Sequence, residues 1–243
     1  MKKIAQMTDL HLDDFLADHY KVDARQHVID ALSLARSRGI SASILTGDLG
    51  APEAHDWLFE IVRKHGFEFL VILGNHDTLS DFQRFDFLQP LLKDDGLYYS
   101  KTLEGFPSLF LDSSAGVIGA DQLDWLEEQV AASNDPLLVF VHHPILDCGG
   151  TIMDRLYPLE NRDDVRRILE KSQRQVSIFC GHYHYHVVNE NRDGNLSQFL
   201  TPAIFGQIKP YGERIEPEGD GYIAFREIHL MDKELRTEVV EVK

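Results

Sequence analysis

The sequence predicts an α/β fold of two packed mixed β-sheets flanked by helices, four layers in the order α/β/β/α. Short apolar runs alternate with helical patterns through the first third of the chain, the alternation returns in the second half, and the final segment reads as strands alone. Strands this numerous do not fit one compact sheet, and helices that connect parallel strands lie outside them. With 243 residues, 43% of them hydrophobic, the chain can bury a full core, and one domain over residues 1–243 fits better than two.

In chain order, Ile4 to Met7, Ala42 to Leu45 and Phe69 to Leu73 are short apolar runs of the kind that forms buried strands. Between them, Val22 to Ser37 carries Val28, Ile29, Leu32, Leu34 and Ala35 at helical spacing, and Glu53 to Lys64 carries Trp57, Leu58, Ile61 and Val62. This βαβαβ order implies right-handed crossovers and parallel pairing. Leu109 to Leu111 is a further strand, and Asp121 to Ala131 is a helix with Leu123, Leu126 and Val130 on its stripe and acids in its first turns. Leu137 to Val141 and Val176 to Cys180 are strands on either side of a helix over Asp163 to Lys171, striped by Val165, Ile168 and Leu169. Tyr222 to Ile228 and Glu238 to Val242, joined through Met231-Asp232-Lys233-Glu234, close the chain as an antiparallel pair. Leu146 to Arg162 and Gly206 to Asp220 are rich in Gly, Pro and charge and read as rim loops.

Composition narrows the function. A net charge of −16, from 24 basic against 40 acidic side chains, excludes a nucleic-acid-binding surface, because phosphate-backbone affinity comes from Lys and Arg. Small anionic substrates stay available if metal ions supply the local positive charge. Cys148 and Cys180 are the only cysteines, which gives no disulfide framework and suits a reducing compartment. The first apolar stretch is interrupted by Gln6, Thr8 and Asp9, too early for a signal sequence, and no run approaches membrane-spanning length. A cytoplasmic protein with no membrane partner is expected, and homo-oligomerisation stays open.

Five polar clusters each follow a predicted strand: Asp9-Leu10-His11, Gly47-Asp48, Gly74-Asn75-His76-Asp77, His142-His143 and Gly181-His182-Tyr183-His184. Hard oxygen and imidazole ligands at the carboxyl ends of strands converge on one rim of a sheet and spell a two-metal hydrolytic site. In extended backbone, residues i and i+2 share a face, so Asp9 with His11, and His182 with His184, can each offer two side chains to one ion. Gly47 lets the chain turn and bring Asp48 close to a cation, and Asn75 offers a neutral carbonyl oxygen. Oxygen and imidazole ligands without thiolate suit two divalent ions, Mn, Fe or Zn. Two such ions about 3.5 to 4 Å apart bring a bridging water to a pKa near ~7, which makes hydroxide available without a protein base.

Other side chains carry weaker signals. His143 has three open readings: substrate contact, support behind the ligands, or the start of a turn at Pro144. His186 and Arg155 read as mainly structural and solvated. His19, His27, His55, His65 and His229 read as surface or helix-face residues, and the two cysteines as small apolar packing groups.

The ordered motifs Asp-x-His, Gly-Asp, Gly-Asn-His-Asp, His-His-Pro and Gly-His-x-His resemble those of the calcineurin-like metallophosphoesterases, over roughly residues 4 to 205. Within that superfamily, Gly119-Ala120-Asp121-Gln122-Leu123-Asp124-Trp125-Leu126, Met153-Asp154 and Leu159-Glu160-Asn161 resemble the class III cyclic nucleotide phosphodiesterase and glycerophosphodiesterase branch. Ile145 after His-His-Pro and the segment Gly50-Ala51-Pro52 depart from that branch's pattern. The resemblance implies the metallophosphoesterase sandwich, with Asp9, His11, Asp48 and His184 around one ion and Asp48, Asn75, His142 and His182 around the other. It also implies that Asp48 bridges the ions, that His76 lies beside the phosphate as proton donor or clamp, and that Asp77 orients it. The expected activity is hydrolysis of a small anionic phosphodiester, a 3′,5′-cyclic nucleotide first. The alternatives are a phosphomonoesterase or pyrophosphohydrolase on the same fold, and a non-catalytic metal-binding scaffold.

Overall fold

The structure, a computed structural model, describes residues 2–132, 134–185, 191–219 and 222–243. In the first half, β1 (Lys2–Met7) leads through α1 (Phe15–Tyr20) and α2 (Ala24–Ser37) to β2 (Ala42–Thr46), and α3 (His55–Lys64) leads on to β3 (Glu68–Ile72). After α4 (Leu79–Phe82) come β4 (Tyr99–Leu103), β5 (Phe106–Phe110), α5 (Ala120–Ala131), β6 (Leu137–Phe140), α6 (Ile152–Leu156), α7 (Arg162–Glu170) and β7 (Val176–Cys180). The chain ends in β8 (Asn191–Asp193), β9 (Leu196–Leu200), β10 (Ile223–Met231) and β11 (Glu234–Val242).

The strands form a five-stranded sheet, β11-β10-β1-β2-β3, and a six-stranded sheet, β4-β5-β6-β7-β9-β8. As the alternation implies, β1, β2 and β3 pair in parallel, and β10 with β11 forms the antiparallel closing hairpin. One apolar cluster joins α2 and α3 to the first sheet and fills the space between the sheets, and a second lies between the six-stranded sheet and α5 and α7. The two packed mixed sheets with helices outside are thereby present.

A ladder of rings sets the register of the second sheet. Tyr99, Phe110, Phe140, Phe179 and Phe199 stack across five neighbouring strands with centroids 4.6, 5.0, 5.1 and 5.1 Å apart, on the face toward the first sheet. Near-parallel pairs of this kind contribute about 0.5–1.5 kcal/mol each beyond their burial. A one-residue slip would turn every ring to the opposite face, so the ladder also fixes the height at which β6 and β7 end. Beneath that end a polar bridge ties the sheets together: Gln6 Nε2 donates to Thr46 Oγ1 (3.1 Å) and to the Cys180 carbonyl (3.3 Å), and Thr201 Oγ1 donates to Gln6 Oε1 (2.6 Å).

Several elements lie where the sequence reading had none. β4, β8, β9, α1 and α4 arise in stretches to which no element was assigned, and α6 inside the expected loop 146–162. They are four to six residues long or shorter, too brief to show a period, and tertiary pairing decides them.

Candidate metal centre

Each predicted cluster sits just past a strand's carboxyl end. Asp9 and His11 follow β1, Asp48 follows β2, Asn75 to Asp77 follow β3, His142 follows β6, and His182 and His184 follow β7. Since β6 and β7 belong to the second sheet, the rim is the seam between two sheets rather than the edge of one.

The backbone there is not extended. Asp9 (φ 54°), His11 (46°), Asp48 (52°), His182 (71°) and His184 (52°) all occupy the left-handed region. Each such non-glycine residue costs about 1–3 kcal/mol and persists only where its surroundings over-determine it. Hydrogen bonds do so here: Asp9 N–H donates to Gly47 O (3.0 Å), Leu10 and His11 N–H to Asp48 O (2.8 and 3.0 Å), and Gly181 N–H to His142 O (3.0 Å). The shared-face argument therefore fails for His182 and His184, which turn toward different groups of ligand atoms. Two glycines make room. A Cβ on Gly74 would lie 2.3 Å from Asp48 Oδ1, and one on Gly181 would lie 2.6 Å from Asp9 Oδ2.

Two groups of potential ligand atoms result, Asp9-His11-Asp48-His184 and Asp48-His142-His182, all buried, with the atoms of each within 4.8 Å of one another. Asp48 belongs to both. Within the first, His11 Nε2 lies 3.1 Å from His184 Nε2 and 3.6 Å from Asp48 Oδ2, and His184 Nε2 lies 3.2 Å from Asp9 Oδ1. Within the second, His142 Nε2 lies 3.4 Å from Asp48 Oδ2 and 3.1 Å from Asn75 Oδ1. Separations of this size are the edges of a coordination polyhedron with bonds of about 2.1 Å.

The far side of each ring completes the fit. His11 Nδ1 donates to Asp14 Oδ2 (2.7 Å), His142 Nδ1 to Thr46 O (2.8 Å), His182 Nε2 to Tyr157 O (3.0 Å) and His184 Nδ1 to Gly206 O (3.1 Å). Carboxylates and carbonyls only accept, so these nitrogens carry the protons, and in neutral rings the inner nitrogens present lone pairs. Two inner lone pairs 3.1 Å apart repel unless something positive stands between them. The donor set thus fits divalent cations, with ring orientation secured from behind.

Electrostatics agree. Burial alone would raise Asp9, but His184 and His142 beside it bring it down to about 2, and His142 together with His11 holds Asp48 well below the carboxylate range. Burial would lower His142, but Asp48 and Asp9 reverse this and push it up to about 9, whereas burial and His142 push His182 down to about 3. A proton on His142 stands where a cation fits.

His76 is exposed and sits edge-on to His11, with centroids 5.0 Å apart. Asp77 faces elsewhere: Oδ1 accepts from Leu49 N–H (3.0 Å) and Oδ2 from Gly74 N–H (2.8 Å), so it braces the main chain on either side of Asp48 rather than orienting the His76 ring. Burial and the nearby Asp48 raise its carboxyl to about 7. His143 Nδ1 and Ser113 Oγ are 2.8 Å apart, and the His143 ring packs on His182 with centroids 4.1 Å apart, which places it behind the ligands. Arg155 donates to the Gly212 carbonyl and does not line the site cavity, and His186 lies outside the described residues. His55 is not a surface residue: it is buried, with Nε2 3.1 Å from Gly50 O and its ring 4.5 Å from that of Phe82. Both cysteines are buried, and burial drives Cys148 up to about 12.

Asp48, His11, Asn75, His76, His182 and His184 open into a cavity of about 360 Å³. Its other walls are Phe15, Leu16, Tyr20, Met153, Tyr157, Phe205, Ile208 and Ile215, with no Lys or Arg among the described lining residues. The expected rim loops do supply Met153, Tyr157, Ile208 and Ile215, but sequence reasoning missed Phe15, Leu16, Tyr20 and Phe205 as walls, Asp14, and the carbonyls of Thr46, Tyr157 and Gly206. Asp14 alone left a signal, an acid three residues after His11 that opens a short helix.

The family model for calcineurin-like phosphoesterases matches residues 2–186. The chain is 30% identical over 211 residues to a protein of Fibrobacter succinogenes named probable cyclic nucleotide phosphodiesterase, covering 86% of this chain and 82% of that one. It is 30% identical over 198 residues to the glycerophosphodiester phosphodiesterase GpdQ of Enterobacter lignolyticus, covering 76% and 69%. Among solved structures, a dimetal phosphatase from Danio rerio shares the fold with a TM-score of 0.64 at 13% identity, covering 99% of this chain and 98% of that one. Purple acid phosphatase PPD1 from yellow lupin seeds does so with a TM-score of 0.65 at 14% identity, covering 99% and 51%.

Proposed function

The chain belongs to the calcineurin-like phosphoesterase family, and from that premise we propose that it is a metal-dependent phosphodiesterase acting on a 3′,5′-cyclic nucleotide. The observation that carries the reading is a pair of ligand groups sharing Asp48 at the floor of a cavity with aromatic walls and no described basic side chain. Asp9, His11, Asp48 and His184 hold one divalent ion, and Asp48, Asn75, His142 and His182 the other, with Mn, Fe or Zn as candidates. When bound, such a pair supplies the nucleophile at neutral pH and neutralises charge on the phosphoryl oxygens.

The chain's own groups do the rest. His76, on the cavity wall, hydrogen-bonds the departing alcohol oxygen. Asp77 keeps Asp48 in place through the main chain. A diester carries one negative charge and a monoester close to two, so a cavity with no Lys or Arg among its described lining residues favours the diester. Phe15, Tyr20, Tyr157 and Phe205 offer faces on which a base can stack.

The test is a panel of specificity constants for the manganese-loaded protein, comparing cyclic AMP, glycerophosphodiesters with ethanolamine and choline heads, phosphomonoesters and pyrophosphate. Cyclic AMP is expected first and the monoester far behind. A glycerophosphodiester in first place removes the cyclic nucleotide but keeps the diesterase, a monoester or pyrophosphate in first place removes both, and no turnover at any metal loading favours a scaffold.

A further inference from the structure

Asp14 lies outside the two ligand groups that share Asp48, yet both of its carboxylate oxygens are committed. Oδ2 takes the His11 Nδ1–H at 2.7 Å, and Oδ1 accepts from Leu16 N–H (2.9 Å) and Ala17 N–H (3.1 Å) as the N-cap of α1. The helix so capped carries Phe15 and Tyr20. The Phe15 ring lies 5.9 Å from that of His76, Tyr20 lies 6.4 Å from Phe205, and both line the cavity. One side chain thus stands between a potential metal ligand and the cavity wall.

We propose that Asp14 is a positioning residue with two duties: it locks the His11 ring with Nε2 toward the cation, and it plants the helix that holds Phe15 and Tyr20 over the mouth. The His11 duty follows from acceptor chemistry. With a carboxylate on Nδ1 the proton stays there and Nε2 presents its lone pair, whereas a donor on Nδ1 would move the proton to Nε2 and close it to a metal. The capping duty follows from α1 being only six residues long, too short to hold itself without an anchor at its start. Asp14 and His76 also lie within ligand distance of His11, but the 2.7 Å contact between His11 and Asp14 is a hydrogen bond, with no room for an ion on that side. The inference rests on the proposed metal centre and deepens it.

Three substitutions separate the duties. Asp14→Ser keeps a good cap and loses the reach to His11. Asp14→Asn can cap with its oxygen only by turning an amide N–H₂ toward His11. Asp14→Ala loses both. Manganese titration by calorimetry on the metal-free full chain is expected to show about 10- to 100-fold weaker binding for all three. Steady-state kinetics at saturating manganese are expected to show a raised KM for Asp14→Ala and a near-normal one for Asp14→Ser. A role limited to capping predicts wild-type manganese affinity for Ser and Asn, since both cap as well as Asp, and that result overturns the proposal. Wild-type protein that binds manganese but hydrolyses no diester overturns the functional reading alone, because the affinity comparison needs no substrate. Wild-type protein that binds no divalent ion overturns both.

Discussion

The ligand rim and the cavity mouth are built on opposite principles although they share a space. At the rim, Asp9, His11 and His142 are fully buried, the loops are stitched to one another by main-chain hydrogen bonds, and each ligand ring is held from behind. At the mouth, Phe15 is 65% exposed, Tyr157 53% and Tyr20 41%, and they sit on short helices or helix ends. Strained, over-determined geometry serves a centre that must hold ions without reorganising. Exposed rings on brief elements suit the recognition proposed for them, where a side chain can change without disturbing the rim. Asp14 and Tyr157 join the regions: the Tyr157 carbonyl bonds His182 while the same residue lines the cavity.

If the rim is one preorganised unit, breaking its shared member should do the most harm. Asp48→Ala is expected to remove both ions and to cut kcat/KM by about 10³-fold or more, read by metal-to-protein ratio and by hydrolysis of bis(p-nitrophenyl) phosphate. Two retained ions would contradict the bridge. A gentler break comes from Gly74→Ala, whose new Cβ meets Asp48 Oδ1 and the Asp48 amide nitrogen, at 2.3 and 2.4 Å. A displacement of about 1 Å at such a centre costs on the order of 10²-fold in rate. Circular dichroism is expected to stay unchanged, and an unchanged rate would show that the close approach is not needed.

The same division explains what the sequence discloses. The rim was legible because ligand chemistry allows few residue types and the strands before them are strongly apolar: β7 has the bounds read from Val176 to Cys180, and His182 follows it. The left-handed turns at Asp9, His11 and His184 were not, since nothing in Asp-Leu-His announces a positive φ. Gly50 shows the limit well. It reads as part of an uncharged departure from the family pattern, yet it is there because Leu12 pairs with it and a Cβ would fall 2.2 Å from the Leu12 carbonyl. The mouth was legible only as two rim loops, because the rings of Phe15 and Tyr20 on α1 meet Phe205 only in the folded chain.

Protons give the next test of the rim. In the metal-free site, Asp48 and Asp9 outweigh burial and hold a proton on His142 up to about pH 9. That proton must leave before the nitrogen can serve a cation, so manganese affinity is expected to rise with pH, at most about tenfold per unit, and to level off above 9. Calorimetry in buffers of different ionisation enthalpy should show protons released on metal uptake. Affinity independent of pH from 7 to 9 would mean that Asp48 and Asp9 hold no proton on His142 in that range.

The smallest effects belong to the mouth, and their kinetic form matters more than their size. A stacked ring contributes about 1 kcal/mol, so Phe15→Ala and Tyr20→Ala are each expected to raise KM for cyclic AMP about fivefold with kcat unchanged, the signature of binding lost equally from ground and transition states. Glycerophosphoethanolamine, which has no ring to stack, should be insensitive to either change. If kcat fell instead while KM held, these rings would be acting through His76 or His11 on the chemical step, and the separation of recognition from the ion-holding rim would fail at α1, where Asp14 ties the two together.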